Sequence, residues 1–432
     1  MRKMTIVVAL AVFLTAQAVF AQELSVSGEV KTGFYMENEK IANLDPRNYS
    51  IMKNSDGDSG TGAGRLRMDF RFAVQNAGLR VRFQVDAGAG GASSPVFNYA
   101  YAYGNLFNDQ FTVSAGILGD SPWGTGGPEL NKFLETSESI GRDSRNGDTF
   151  TQVLGLMGIR FEIKPAILPG LNVGFVVNQA DNDTVKSPSE QTFGELLGES
   201  VIGARYENDY FLVSAGYRFD GDMDKINNDK NEGGRLAYRL EERVLRNMLD
   251  GMQISLNGYY YGLKMEQFDY NVGTFAKPVM VTMGSGEYFT NWLYWLWDTD
   301  NYTAKFDTNF SIYKAYFNGG MRPQLRQDYK SLGFRPAFYY KFLDNTFQAG
   351  LSLGFGMELG DGKIYKDAPY QYITVEPLLR VNFGSNAYFA FVYNYTNKYA
   401  HPEINVVKSG QTIELGDKSQ RHWINLRAVY TF

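Results

Sequence analysis

The chain has 432 residues, a formal net charge of −5, and 44% hydrophobic, 15% aromatic and 21% charged residues. It carries 46 glycines, 29 tyrosines and 31 phenylalanines, and no cysteine. The absence of cysteine excludes a disulfide scaffold, a zinc ribbon, a thiol enzyme and a lipid-anchored lipoprotein. The aromatic and aliphatic content excludes wholesale disorder, and the acidic balance argues against nucleic acid as a partner.

Residues 1–21 read as a cleavable secretory signal. Arg2 and Lys3 form a positive head, Thr5 to Phe20 is nearly all apolar, and Val19 and Ala21 fit a small-residue cleavage site before Gln22. Removing Arg2 and Lys3 takes the net charge from −5 to −7. No later apolar run reaches the roughly 18 residues of a spanning helix. Residues 22–432 then form one domain.

Period-two alternation dominates the remainder. Leu24 to Tyr35 alternates, with Glu29 and Lys31 in the polar phase. In Arg65 to Gln75, Leu66, Met68, Phe70, Phe72 and Val74 oppose Arg65, Arg67, Asp69 and Arg71. After the turn Asn76–Gly78, the apolar set Leu79, Val81, Phe83 and Val85 opposes Arg80, Arg82, Gln84 and Asp86. Successive strand side chains point to opposite faces, so each segment has one oily and one polar row. The pattern recurs at Phe111–Ile117, Leu171–Asn178, Phe211–Arg218, Phe347–Glu358 and Arg421–Phe432. It blurs over 235–300, where Leu236, Leu240, Val244 and Met248 also share one helical face.

Connections alternate as well. Asn76–Gly78, Asn108–Asp109, Glu207–Asp209, Leu343–Asn345 and Gly384–Asn386 are tight, while 36–63, 118–148, 179–200, 220–234 and 397–419 are long and polar. Strands of about 10 residues with short turns at one end and long loops at the other are the signature of a transmembrane, antiparallel, up-and-down β-barrel. The fold class expected is therefore all-β, with about 18 strands and 16 as the next count, short periplasmic turns and long extracellular loops. A soluble all-β protein is the competing reading, because alternation alone also suits a sandwich core.

The last residues, His422 to Phe432, resemble the C-terminal strand of bacterial outer-membrane β-barrel proteins, which end in a terminal Phe with an aromatic two residues earlier. Here these are Tyr430 and Phe432, and the resemblance implies recognition by the barrel-assembly machinery. The chain also resembles general diffusion porins. If the first strand rises from the periplasm, the loop after the fifth strand is 118–148, and in those porins that loop folds inward and narrows the barrel. Its Gly126-Gly127-Pro128-Glu129-Leu130 resembles the Pro-Glu-aromatic-Gly-Gly segment of porin constriction loops, but has Leu130 for the aromatic and its glycines placed first. The resemblance further implies a homotrimer in outer-membrane lipid.

A lumen of this size stays open to water. Its candidate lining is Arg65, Arg67, Asp69, Arg71, Arg80, Arg82 and Asp86, with Arg160, Arg205, Arg218, Arg335, Arg380 and Arg427 on other strands. The candidate constriction loop brings Glu129, Glu135, Glu138 and Asp143. Two readings stay open. Arginines facing an acidic loop would orient dipolar solutes and select ions; alternatively they hydrate a wide wall and pair with Asp69, Asp86 and Glu162. Trp292, Trp295 and Trp297, with Tyr288, Phe289 and Tyr294, read as an interfacial girdle. Tyr259, Tyr261, Tyr339 and Tyr372 fall in the lumenal phase and suit sugar stacking.

Catalytic chemistry has little to build on. His422 lies in an apolar phase and His401 in the last long loop. Asp220-Gly221-Asp222-Met223-Asp224 fails the calcium-loop template at Lys225 and Asn231. The expectation is a passive porin for small hydrophilic solutes or ions, not an enzyme, with no cofactor and no metal, in the bacterial outer membrane. A surface adhesin or structural barrel with a blocked lumen, and a substrate-specific (for example sugar) uptake channel, are the alternatives.

Overall fold

A computed structural model describes residues 23–41, 47–51, 64–88, 91–92, 95–118, 123, 156–178, 200–218, 235–263, 268–271, 280–318, 328–360, 371–399, 407–408, 411–412 and 418–432. The signal segment 1–21, the loop carboxylates Glu129, Glu135, Glu138 and Asp143, His401 and the acidic stretch 220–224 lie outside these. Among the described residues, 18 antiparallel strands close into a barrel. They are β1 (Glu23–Ile41), β2 (Gly64–Val74), β3 (Ala77–Gly88), β4 (Val96–Leu106), β5 (Phe111–Leu118), β6 (Leu156–Ile163), β7 (Leu171–Asn178), β8 (Val201–Glu207) and β9 (Phe211–Arg218). The second half comprises β10 (Arg235–Glu242), β11 (Met252–Leu263), β12 (Met280–Asp298), β13 (Tyr302–Asn318), β14 (Asp328–Phe342), β15 (Phe347–Gly360), β16 (Gln371–Phe383), β17 (Ala387–Tyr399) and β18 (Lys418–Thr431). No described helix is long and apolar enough to cross a membrane.

Each strand pairs with its chain neighbours, and β18 pairs with β1 to close the ring. At the seam, the Gly28 N–H donates to the Phe432 carbonyl at 2.8 Å, and the Phe432 N–H donates to the Gly28 carbonyl at 3.0 Å. Glycine is required there. A Cβ on residue 28 would lie 2.6 Å from the Phe432 ring and 2.5 Å from the Arg67 carbonyl oxygen. Gly28→Leu is expected to prevent closure, read as loss of the fast-migrating folded band when detergent-extracted protein is run unheated; a retained band would sink this account.

The expected tight connections all appear, at the end of the barrel where β1 begins and β18 finishes. Two of them, Phe107–Asp109 and Leu343–Asn345, run three non-glycine residues through positive φ (55°, 55°, 66° and 53°, 53°, 61°). Asn and Asp tolerate that region best, which is why they mark these turns. The ambiguous segment Leu236–Met248 divides. Its first half is strand β10, and only Val244–Met248 is helical (α1), inside the turn to β11. Ladder bonds to β9 and β11 hold the first half extended, overriding the helical spacing. The polar stretch expected from residue 36 also starts later. β1 continues to Ile41 because Met36–Ile41 keep pairing with Ile424–Ser419, and Arg47–Ile51 folds back on Tyr35–Glu39.

The oily row faces outward. Phe338 is 52% exposed and Phe389 57%, and Leu24, Val26, Ile159, Leu332, Leu353 and Leu379 are exposed with them. Such a surface aggregates in water but matches acyl chains. It also explains why charge is sparse in this phase, with Lys40, Glu242 and Lys330 near strand ends, since an Arg or Lys at the bilayer midplane costs about 2–4 kcal/mol. Near the turn end the outward rings meet in a belt: Trp297–Tyr302 at 5.5 Å, Tyr302–Phe338 at 5.8 Å, Phe383–Phe389 at 5.4 Å and Tyr430–Phe432 at 6.0 Å between centroids. His422 also faces outward as expected, its Nδ1 2.7 Å from the Tyr393 hydroxyl. The expected tryptophan girdle needs correction. Trp295 and Trp297 are in the outward phase, but Trp292 and Tyr294 are buried and point inward, because a strand cannot send neighbours of opposite parity to one face.

Candidate functional site

The polar row lines the interior. Strands about 4.8 Å apart and tilted by about 40° close, at eighteen strands, on a backbone radius of roughly 18 Å. Wall side chains alone cannot fill that width, so what the lumen does depends on which groups project furthest and how they are held.

The sequence-predicted arginines converge on one sector. Arg65, Arg67, Asp69 and Arg71 share the lumenal row of β2; Arg80, Arg82 and Gln84 share that of β3. β1 adds Glu29 and Lys31 through the pairs Glu29↔Arg67 and Lys31↔Arg65. Counting Asp86 by its register with Arg65 and Glu23 by its register with Ala73, six cationic positions share this sector with four acidic ones. Arg71 and Arg80 are directly opposed, an arrangement that destabilises a ladder and that stability alone would not retain.

Three of the arginines, Arg67, Arg80 and Arg82, are held by neighbouring side chains. Arg82 Nε donates to Asp69 Oδ1 at 2.6 Å, and the Tyr99 hydroxyl donates to the same oxygen at 2.5 Å. The Arg82 guanidinium lies 4.8 Å from the Tyr99 ring centroid, within cation–π range. Arg67 donates through Nε and Nη2 to Gln84 Oε1, at 3.1 and 2.9 Å, and stands 3.4 Å from Glu29. Arg80 donates to the Tyr101 hydroxyl at 3.4 Å. A register shift between Arg82 and Phe83 re-aims β4 here, so that Tyr99 opposes Arg82 and Tyr101 opposes Arg80. Pairing with Asp69 and with Glu162 thus occurs as the hydrated-wall reading expects: Arg160 lies 2.7 Å from Glu162. The two readings are compatible, because paired arginines still leave an excess of positive charge on the wall.

Trp123 escaped the sequence reading, as did Tyr99 and Tyr101. Trp123, five positions beyond the end of β5, lies inside the barrel, 2% exposed. Its indole packs over Gly174 of β7 and Gly203 of β8, which are directly paired. A Cβ at Gly174 would fall 2.3 Å from the ring, and one at Gly203 2.4 Å. Trp123 Nε1 donates to Asn172 Oδ1 at 3.3 Å, and Asn172 Nδ2 donates to Glu162 Oε2 at 2.8 Å. Tyr99, Tyr101, Leu118, Val176 and Val201 complete the cluster. The 118–148 connection therefore has at least this residue against the lumenal wall. A legible signal existed, a tryptophan together with glycines in the lumenal phase of two neighbouring strands, but only register shows that the glycines meet. Tyr259, Tyr261, Tyr339 and Tyr372 occupy lumenal register positions, as expected.

No protein-family model matches the chain, and no curated protein matches it. Solved structures do. An anion-selective porin from Comamonas acidovorans matches with a TM-score of 0.50 at 12% identity, over 95% of this chain and 99% of that one. OccK2 (OpdF) of Pseudomonas aeruginosa, solved with glucuronate, matches at 0.49 and 9% identity, over 96% and 99%. OmpT, expressed in the outer membrane of Vibrio cholerae, matches at 0.47 and 13%, over 95% and 97%. At these identities the likeness is one of fold: the chain has the architecture of outer-membrane porins.

Proposed function

We propose that this protein is a bacterial outer-membrane channel for passive diffusion of small hydrophilic solutes, with a preference for anions. The observation that carries the reading is the β1–β3 wall, where over the paired stretch from Glu23 to Lys31 six cationic positions meet four acidic ones and two arginines are set opposite each other. A fixed positive surface beside water raises local anion concentration and depletes cations. The fold shared with an anion-selective porin supports the same reading. In this account residues 1–21 direct export and are removed, Tyr430 and Phe432 are read by the barrel-assembly machinery, and the mature barrel assembles as a homotrimer and catalyses no reaction.

Detergent-folded protein in planar bilayers tests it. Stepwise conductance is expected, with a reversal potential displaced toward that of chloride under a potassium chloride gradient. Absence of conductance would favour a surface barrel with a blocked lumen, and displacement toward potassium would overturn the anion preference.

A further inference from the structure

We infer that a second lumenal site, across β12–β16 near the turn end, binds small organic anions that carry hydroxyl groups, of the sugar-acid class. The inference rests on the channel reading only for solute access. The site is separate from the arginine wall of β2 and β3, with β17, β18 and β1 standing between them.

A recess opens here between the lumenal rows of β12–β16; β15 lines it through Gln348, while its Gly350 lies under the Tyr339 ring. A Cβ at Gly350 would lie 2.5 Å from Tyr339 Cδ1, which shows how closely that ring leans across the strand. The recess has a volume of about 280 Å³. That is just under the roughly 300 Å³ at which small-ligand pockets begin, which suits a single sugar-sized ring.

The lining sets the ligand's chemistry. Lys305, Lys341 and Arg380 share the lining with one carboxylate, Asp298, and with Tyr294 and Tyr339, which are largely buried in the wall. Lys341 Nζ donates to Asp298 Oδ1 at 2.8 Å and to the Thr299 carbonyl at 2.7 Å, and Asp298 also accepts from the Thr303 hydroxyl. That carboxylate is thereby engaged, and the recess keeps two positive charges in excess. Arg380 is fixed in place: Nε donates to Asn382 Oδ1 at 2.6 Å, and the guanidinium lies 3.7 Å from the Tyr388 ring centroid. A cation already immobilised binds an anion with little further loss of freedom. Asn345, Gln348 and Asn382 add amide donors and acceptors beside it. A carboxylate placed between Lys305 and Arg380 would thus carry its hydroxyls to the amides and its ring to Leu378 and Tyr339. A neutral apolar ligand would strand these polar groups, which disfavours it.

Titration calorimetry of the full detergent-folded chain tests this with galacturonate, galactose and inorganic phosphate. Saturable galacturonate binding is expected, at least tenfold tighter than that of galactose and of phosphate. The double variant Lys305→Gln with Arg380→Gln should weaken galacturonate at least tenfold, whereas the single variant Lys305→Arg, which keeps both charges, should retain most of the affinity. Should the double variant fail to migrate as a folded barrel, Gln348→Glu tests the same point by repulsion, with the same tenfold loss expected. Undiminished galacturonate affinity in whichever of these folds, equal affinity for phosphate, or no saturable heat overturns the site. A protein that conducts anions but does not bind galacturonate loses this site and keeps the channel reading. One that binds galacturonate but does not conduct loses the channel reading and keeps the site.

Discussion

Replacing Arg67, Arg71 and Arg82 together with serine is expected to lower the anion-to-cation permeability ratio on the order of twentyfold at 0.1 M salt. A unit charge acting on an ion about 7 Å away in water contributes about 0.6 kcal/mol, and salt at 0.1 M roughly halves it. Three charges therefore raise the anion barrier by about 0.9 kcal/mol and lower the cation barrier by the same amount when removed. The sign is reinforced locally, because Glu29 and Asp69 lose the guanidiniums that now face them at 3.4 and 2.6 Å. Reversal potentials under a salt gradient measure the ratio directly. Two controls separate charge from shape. Arginine-to-lysine replacements at the same positions keep the charge and should keep the selectivity. At 1 M salt, where the Debye length is about 3 Å, the difference between wild type and variant should nearly vanish. An unchanged ratio at low salt would mean that these arginines only hydrate a wall.

Trp123→Ala is expected to raise single-channel conductance, and Gly203→Val should do the same by a different route. The alanine variant removes a buried indole, a loss of about 3–5 kcal/mol of packing for Trp-to-Ala changes, enough to empty the seat more than a hundredfold. The valine variant leaves the indole intact but puts a side chain where its Cγ now lies 2.4 Å from the Cβ position. Both release Trp123 from the lumenal face of β7 and β8. Conductance that rises in one variant and not in the other would show that something other than the seat is responsible. Equal conductance in both variants and wild type would show that Trp123 does not narrow the path. Unheated electrophoretic mobility checks that the barrel itself has closed in each.

The two results bear on one continuous polar chain along the wall. Arg80 bonds Tyr101, Tyr101 lies 5.4 Å beneath the Arg160 guanidinium, Arg160 pairs with Glu162, and Glu162 accepts from Asn172, which holds Trp123. Combining the arginine triple with Trp123→Ala therefore tests residues that share partners, and non-additive effects on conductance are the natural outcome.

The barrel, its orientation toward lipid and its strand count were legible from residues alone, because a strand's two faces are written at every second position. Leu66, Met68, Phe70 and Phe72 could only face hydrocarbon once Arg65, Arg67, Asp69 and Arg71 were assigned to water, and the Asn-Asp and Gly-Ser-Asn turns marked where each hairpin ends. Parity also decided that the arginines share a wall. Parity is silent about which residues of different strands stand side by side, and that is what the tertiary structure settled. Register set Arg71 against Arg80, Gly174 against Gly203 under Trp123, and bare Gly350 beside Tyr339 and Leu378. Pairing also took Leu236–Glu242 out of a helix, since ladder bonds to both neighbours outweigh a helical spacing, whereas the inward Trp292 and Tyr294 follow from parity along their own strand. Alternation is a local property of each segment, whereas register is a relation between segments fixed by turn length and closure of the ring; the chain's own order determines the first, and only the closed barrel determines the second.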